Sequence, residues 1–267
     1  MSPRHRRGEE TRERLLAAAL DLYEREGADG FTMTAVTAAS GVSVGSLYHH
    51  FGSFDGLAAA LYARCLSGLL DAVVAALAAL PPGEGTGPGE GAGAEGGEGT
   101  EAAEVEGGEG GKSSEGGEGG EGTEVEGGEG DKGGKGAEAG GREEAEAWVA
   151  AGIRAVVTGY LGFTREHRAA AHFVHASAYA AFLPAHAALV AKEKEPRLAG
   201  ILGWLRPYAE AGLVVELPDT LTEMLVVGPA AETARRWLAG APGIDLDEAC
   251  RLLPERIWRS LRADVPP

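Results

Sequence analysis

The segment GFTMTAVTAASGVSVGSLYHHFGS, residues 30–53, decides the fold of the first part of this chain. Thr32 precedes a short apolar run in the position of a helix N-cap, and Ser43 precedes a second short run in the same way. Gly41 ends the first of these helices. Two short helices joined in this manner, over about 32–51, have the layout of a helix-turn-helix, whose second helix enters the major groove of DNA.

Apolar and small residues divide between two sides of the predicted helix-turn-helix. Four apolar residues are spaced to pack inward and fix the angle between the helices: Val36, Val42, Leu47 and Phe51. Four other residues lie outward near the start of the second helix: Val44, Gly45, Ser46 and His49. The small side chains among them let the backbone approach base edges, so we expect this side to read DNA.

Longer helices flank the helix-turn-helix. Apolar residues at helical spacing predict a first helix over 11–26, which Gly27 terminates. A second long helix is predicted over 54–80, where apolar residues again recur three and four apart. These helices and the helix-turn-helix define an N-terminal domain over 9–68.

Three motifs resemble the DNA-binding domain of the TetR family of transcriptional regulators: Gly30-Phe-Thr-Met33, Ala39-Ser-Gly-Val-Ser43 and Leu47-Tyr-His-His-Phe-Gly-Ser53. The resemblance runs from about residue 10 to residue 64 and implies that the partner is double-stranded operator DNA. An ordinary three-helix bundle also accounts for the apolar positions. It does not explain why Tyr48, His49 and His50 cluster at an expected surface.

The resemblance also implies a role for each residue of the predicted DNA interface. Thr32 and Ser43 match phosphate contacts of the family, and a helix N-terminus suits an anion in any case. Tyr48 and His50 match residues that touch the sugar-phosphate backbone. The residues that match those nearest the bases are Val44, Gly45, Ser46 and His49.

One position departs from the family pattern. The family commonly has lysine at the start of the helix that follows the helix-turn-helix, where this chain has Phe54, so one phosphate contact is missing. Five arginines near the N-terminus, called the basic arm below, are candidates to supply it: Arg4, Arg6, Arg7, Arg12 and Arg14. The alternative is that the basic arm is an ordinary solvated terminus.

The negative charge of the chain is concentrated in one segment. The 267 residues include 24 Lys and Arg against 41 Asp and Glu, for a formal net charge of -17. Residues 82–141 hold 16 acidic residues, 3 lysines and no aromatic residue, and so carry 13 of the 17 net negative charges. A segment this rich in Gly and Glu cannot bury enough apolar area to offset the entropy of ordering it. We expect a disordered acidic low-complexity insert over 82–141.

The remaining sequence predicts an all-α protein, because strand signals are nearly absent on both sides of the insert. Cys65 and Cys250 are far apart and form no C-x-x-C motif, which argues against a disulfide framework or a thiolate metal site. The longest apolar stretch, 68–80, is interrupted by Asp71 and is too short to span a bilayer. We therefore expect a cytoplasmic protein with no membrane association, no metal and no cofactor.

A C-terminal domain is predicted over 142–264, where helical apolar spacing resumes. Its last two helices each carry an apolar face, and Pro229 is expected to kink the first of them. The faces consist of Leu221, Met224, Leu225, Gly228, Ala231, Arg235 and Leu238 on the first helix, and Leu252, Leu253, Ile257 and Leu261 on the second. A looser resemblance to C-terminal domains of the same family implies a homodimer interface here. The alternative is that both faces pack inside one chain.

A stripe of mixed polar and aromatic residues is predicted on one helix of this domain. It consists of His172, His175, Tyr179 and Phe182, at i, i+3, i+7 and i+10. With Phe163, Trp204 and Tyr208 it is expected to line a mostly apolar pocket for a small-molecule effector. Ordinary core or surface roles are the alternative. Zinc binding by His167, His172 and His175 is disfavoured, because His167 projects about 140° away from His172 on an ideal helix.

These features predict a dimeric DNA-binding transcriptional regulator, a repressor that leaves its operator when a small apolar or aromatic ligand binds. The alternative is an all-α ligand- or metal-binding enzyme with a non-functional helix-turn-helix. No Ser/His/Asp set, carboxylate pair or Gly-rich phosphate loop supports an enzyme, so we expect none. A scaffold that acts through the acidic insert is a third interpretation.

Overall fold

The computed structural model of this protein describes residues 3–81, 134–177 and 180–263. Over these ranges the chain forms ten α-helices and no strand, apart from one isolated antiparallel bridge between Val214 and Arg262. The helices are α1 (Pro3–Gly30), α2 (Met33–Ser40), α3 (Val44–Phe51), α4 (Phe54–Ala78), α5 (Gly134–Glu166), α6 (Arg168–Ser177), α7 (Ala187–Glu210), α8 (Asp219–Val226), α9 (Gly228–Leu238) and α10 (Leu246–Leu261). The predicted all-α class is confirmed.

Helices α1, α2 and α3 pack against one another, and α1 and α3 also pack against α4. Each contributes large side chains to a common core, and the most buried are at most 3% exposed: Leu15 and Leu22 of α1, Val36 of α2, Leu47 of α3 and Leu57 of α4. This core explains the apolar spacing in the first part of the chain. It also leaves the outer side of α3 uncovered.

Helix α1 is longer than the predicted 11–26 at both ends. Gly27, the predicted stop, has φ of 69° and ψ of -162°, a conformation that glycine adopts without steric cost. The interruption lasts one residue, and the chain then completes another turn to Gly30. The predicted helix end at Gly27 is therefore confirmed, and Gly27 forms the kink between that helix and the last turn.

Helix α4 belongs to both halves of the protein. At its start, the Phe54 ring lies 5.1 Å from the ring of Phe31, which precedes α2. Further along, Gly68 leaves room for Phe163 of α5, whose ring would lie 3.4 Å from a Cβ at that position. The most extensive helix contacts in the described structure are those of α4 with α5 and α7.

The C-terminal domain consists of α5 to α10. Helix α5 begins at Gly134, before the predicted domain start at 142. Residues 82–133 of the predicted insert lie outside the described residues. The helix expected to kink at Pro229 is two helices, and Pro229 lies in the first turn of α9, where its missing N–H is tolerated.

Part of the predicted dimer face is buried inside the single chain. Leu238, Ile257 and Leu261 are 7%, 3% and 0% exposed. Helix α10 packs extensively on α5 and also contacts α9, so these side chains close the core of the domain. Their assignment to an intermolecular face was wrong, because periodicity does not reveal which helix covers an apolar stripe.

Among the residues that the structure describes, two helices are long and apolar enough to cross a membrane by length and composition alone: residues 54–78 of α4 and residues 140–166 of α5. Of the most apolar window in each, 61% and 56% is buried against the rest of the protein. Core helices that pack against other helices have this composition, so the test is weak evidence for a membrane segment.

Gly152 of α5 lies directly beneath the indole of Trp204 of α7, and a methyl group there would overlap the ring. Gly152→Ala is therefore expected to lower the free energy of unfolding by about 1 to 3 kcal/mol through overpacking. Urea unfolding followed by circular dichroism measures the change. Gly162→Ala is the matched control on the same helix: no atom lies within 4 Å of its added Cβ, and a gain of up to about 1 kcal/mol is expected. Equal effects of the two substitutions would contradict the packing described.

Candidate nucleic-acid interface and ligand groove

Both helices of the helix-turn-helix begin with a capped N-terminus. The Thr32 hydroxyl accepts a hydrogen bond from the N–H of Ala35 at 3.3 Å, and the Ser43 hydroxyl accepts one from the N–H of Ser46 at 3.2 Å. The predicted caps are confirmed. Because both helix starts are exposed, their remaining N–H groups and positive dipole ends favour an anion such as a DNA phosphate.

The turn between α2 and α3 has a defined geometry. Gly41 has φ of 65° and ψ of 22°, in the left-handed region that favours glycine. The Ser40 hydroxyl accepts a hydrogen bond from the N–H of Val42 at 3.3 Å, and the Val42 side chain is only 6% exposed. The turn thereby holds α3 at a fixed angle to α2.

Helix α3 has one buried and one exposed side. Leu47 is fully buried, whereas Val44 is 42% and Tyr48 is 47% exposed. Gly45 and His49 are also exposed. These exposed side chains lie on the side of α3 that is predicted to contact DNA.

Ser46 and His50 are half-buried and lie at the edges of the exposed side of α3. The His50 ring lies 5.3 Å from the ring of His49. It also lies beside Gly8 of α1, where a Cβ would be 3.8 Å from Cε1 of the imidazole. The start of α1 is therefore a neighbour of the predicted DNA-reading residues, which the sequence patterns did not indicate.

A groove of about 900 Å³ lies between α6 and the α8–α9 pair. Its lining consists of His172, His175, Ala176, Met224, Gly228, Ala231, Glu232, Arg235, Leu238 and Ala239. Six of these residues are aliphatic or glycine, and four carry ionisable groups. That mixture is typical of sites for small molecules, which bury an apolar body and orient it by a few polar groups.

Only His172 and His175 of the seven residues predicted to line a pocket contribute to this groove. Helix α6 ends at Ser177, so Phe182 does not continue the stripe, and Tyr179 lies outside the described residues. Phe163 contacts α4, as described above, and Trp204 covers Gly152 of α5. Tyr208 lies 5.8 Å from the Trp204 ring on the same helix. The groove thus contains two of the predicted pocket residues, and the role of the others stays a prediction.

His175 is partly buried at the base of the groove. Burial lowers its pKa to about 4, and the positive charges of Arg235 and His172 act in the same direction. The Tyr160 hydroxyl lies 3.4 Å from Nε2 of the ring, within hydrogen-bonding distance. His175 is therefore neutral at pH 7 and can donate or accept a hydrogen bond without introducing charge.

The wall of the groove touches the DNA-binding domain. The His172 ring lies 5.6 Å from the ring of Tyr23 in α1. The adjacent Phe173 packs edge-on against Tyr23 at 4.8 Å and lies 5.5 Å from Phe31. No sequence pattern linked Tyr23 to a helix so distant in the chain.

No three His, Cys, Asp or Glu side chains are grouped to hold a metal ion in the part of the chain that the structure describes. Both cysteines are protonated thiols at neutral pH: burial raises the pKa of Cys65 to about 12 and also raises that of Cys250. His167 packs against the ring of Phe163 at 4.7 Å.

A capped helix-turn-helix with an exposed second helix, joined to a helical domain, is the architecture of a two-domain helix-turn-helix protein. Residues 15–61 match the family described as bacterial regulatory proteins, tetR family. Residues 15–61 therefore form a helix-turn-helix DNA-binding domain of the tetR family. No curated protein matches the chain.

Solved structures share the fold over nearly the whole chain. A TetR family transcription regulator from Marinobacter aquaeolei VT8 is 14% identical, with a TM-score of 0.59 over 97% of this chain and 100% of that one. A TetR family regulator from Shewanella sp. PV-4 is 14% identical, with a TM-score of 0.54 over 95% and 99%. The fatty acid degradation regulator FadR from Bacillus halodurans is 11% identical, with a TM-score of 0.56 over 94% and 99%. At these identities the likeness concerns the fold alone.

Substitutions on the exposed side of α3 are expected to separate affinity from specificity. Tyr48→Ala should weaken binding to all duplexes alike, because a backbone contact carries no sequence information. His49→Ala should change the preference among duplexes by about 1 to 3 kcal/mol per lost base contact. Fluorescence anisotropy on a panel of duplexes that differ at single base pairs measures both effects. Retained binding after Tyr48 and His50 are both replaced by alanine would contradict this interface.

The depressed pKa of His175 predicts a pH-dependent stability. The unfolded chain protonates this residue near the ordinary pKa of about 6.5, whereas the folded chain does so near 4. The unfolded state therefore binds more protons between these values, and stability falls as the pH is lowered through this window. Between pH 7 and pH 5 we expect a loss of about 1 to 2 kcal/mol attributable to His175, after allowance for its partial exposure. Urea unfolding of the wild type and of His175→Gln at both pH values isolates the part of the stability loss that is due to His175. The same pH dependence in both proteins would show that His175 titrates normally.

Proposed function

We propose that this protein is a homodimeric transcription repressor, which binds double-stranded operator DNA through α3 and leaves it when a small, mostly apolar molecule enters the groove. The observation that carries the proposal is an exposed apolar patch on the C-terminal domain. The apolar patch consists of Leu221, Met224 and Leu225 of α8 and Leu252 of α10, which are 46%, 62%, 37% and 52% exposed. Helices α8 and α10 contact each other, so the exposed apolar side chains lie on neighbouring elements.

A second copy of the chain is the partner that best fits the apolar patch. Large apolar side chains clustered at a surface mark an interaction site. A two-fold axis through such a region brings identical patches together, so that each covers the other. Dimerisation also gives DNA binding its symmetry, because two α3 helices related by a two-fold axis read two half-sites of a near-palindromic operator.

The groove supports an effector with an apolar body and one or two hydrogen-bonding groups. Ala231 and Leu238 supply apolar walls, and His175 supplies a neutral donor or acceptor beside them. Glu232 is held at the rim by hydrogen bonds from Arg235 and Arg236 at 2.6 to 2.8 Å. These bonds keep the pKa of Glu232 near 2. Glu232 is therefore ionised at neutral pH, and its negative charge is paired with the positive charges of the two arginines.

The proposed release mechanism follows from the contact between His172 and Tyr23. His172 lines the groove, and its ring packs near the ring of Tyr23 in α1. A ligand that displaces α6 therefore displaces α1, and with it the helix-turn-helix. Because operator binding requires both α3 helices in the correct register, a small change in their separation is sufficient to lower affinity.

A charge in the apolar patch is expected to separate the dimer without unfolding the chain. Leu252→Glu places a carboxylate where a partner would bury it without compensation. We expect sedimentation velocity to detect a folded monomer whose operator affinity is at least about tenfold lower, since one half-site is lost. Ala17→Glu, at an exposed position of α1, adds the same charge away from the patch and should remain dimeric.

Ile257→Glu distinguishes intermolecular from intramolecular burial. Ile257 is 3% exposed within the single chain, so the carboxylate should unfold the domain rather than release a folded monomer. Circular dichroism reports the loss of helix. A wild-type protein that is a monomer at micromolar concentration and still binds operator DNA would contradict the proposed dimer.

A further inference from the structure

A second cavity, called the α7–α8 cavity below, lies between the end of α7 and the start of α8. Its volume is about 280 Å³. Its walls are the last turns of α7, the connecting segment 214–217 and the first turn of α8. The α7–α8 cavity shares no lining residue with the groove. A molecule bound in one of them therefore leaves the other open.

The floor of the α7–α8 cavity is aliphatic. Leu202, Leu205 and Val214 close it toward the core and are 8%, 5% and 3% exposed. Leu202 and Leu205 also line a void of about 10 Å³, whose other walls include Ile153 of α5 and Trp204. Protein interiors are close-packed and contain few such voids. The two leucines thus have free space on both sides, and the floor can adjust to an apolar group.

The rim of the α7–α8 cavity carries more negative than positive charge. It contains Arg206, Glu210, Glu216 and Asp219, all of which are exposed. Arg206 is paired with Asp219, with 3.6 Å between Nη2 and Oδ2. Among the described residues, no cationic side chain lies within ion-pair distance of Glu210 or Glu216. Two carboxylates are therefore available to a cation, and they would repel an anion.

This rim fits an organic cation better than a metal ion. In the described part of the chain, no three His, Cys, Asp or Glu side chains are grouped to hold a metal. The lining that the structure describes also contains no aromatic side chain, whereas quaternary ammonium ions are recognised by aromatic faces. A primary or secondary ammonium instead donates hydrogen bonds to carboxylates, and such charge-assisted bonds are about twice as strong as neutral ones.

We propose that the α7–α8 cavity binds a small organic amine in its protonated form. The ammonium group lies at Glu210 and Glu216, and the apolar body lies on the aliphatic floor. Ligand cavities begin at about 300 Å³, so this volume suits a small amine rather than a lipid or a peptide. The site is additional to the groove and does not depend on operator binding, so its failure would leave the proposed function intact.

The test compares three probes that share one apolar body and differ in charge: phenethylammonium, 2-phenylethanol and 3-phenylpropanoate. Saturation-transfer NMR titrations with the full-length chain at pH 7 give their dissociation constants. We expect phenethylammonium to bind at least about tenfold more tightly than the alcohol, because the two carboxylates attract it. The anionic probe should bind more weakly than either. Equal affinity of the three probes, or no binding of the ammonium, would overturn the proposal.

Glu210→Gln/Glu216→Gln tests the role of the rim. This double variant should weaken phenethylammonium binding by at least about tenfold and leave the affinity for 2-phenylethanol unchanged. Glu24→Gln/Glu166→Gln is the matched control: it removes two exposed carboxylates elsewhere and changes the net charge equally. Both affinities should be unchanged in the control. An equal loss in the two double variants would show that the overall charge of the chain attracts the probe, and would overturn the site.

Ala209→Leu tests the location of the site without altering any charge. Ala209 lines the cavity and is half-buried, so a larger side chain there occupies part of the volume. We expect weaker binding of both the ammonium and the alcohol, with unchanged helix content by circular dichroism. Ala199→Leu, at an exposed position of the same helix, should leave both affinities unchanged. Unchanged ammonium affinity in Ala209→Leu would contradict binding in the α7–α8 cavity.

Discussion

The burial of α4 along both of its halves is the constraint on which the rest of the structure depends. Leu57 and Leu61 in its first half and Leu69 and Val73 in its second are at most 1% exposed. The first half belongs with the helix-turn-helix and the second with the C-terminal domain. Because protein interiors are close-packed, neither half can shift without repacking around the other. The two domains are therefore mechanically connected by one shared helix.

Helices α6 and α7 meet this shared helix differently. Arg197 of α7 donates hydrogen bonds to Asp71 of α4 at 2.6 and 3.2 Å, and Glu193 accepts one from Ser67 at 3.1 Å. These polar contacts hold α7 and α4 at a fixed position along each other. Helix α6 meets α1, α4, α5 and α9, and its polar residues include the two histidines of the groove. In the proposed mechanism α6 is consequently the element that moves, and α7 is part of the frame against which it moves.

Local signals predicted the helix-turn-helix well, because caps, glycine turns and short apolar periods act within a few residues. Thr32, Gly41 and Ser43 have the structural roles expected of them. The ligand groove was predicted poorly, since its walls come from helices that are distant in the chain. Helix periodicity identified the apolar stripe with Ile257, but only tertiary packing shows that α5 covers it. The position of Gly8 beside His50 likewise has no local signature.

The central claim is that two α3 helices, one from each chain of a dimer, read two half-sites on one side of a DNA duplex. Selection of binding sites by the full-length protein from a pool of random duplexes tests it directly. The account predicts a near-palindromic motif whose half-site centres are about one helical turn apart, or a small multiple of it. Recovery of duplexes with no shared motif, or of a single half-site bound by one chain, would contradict it.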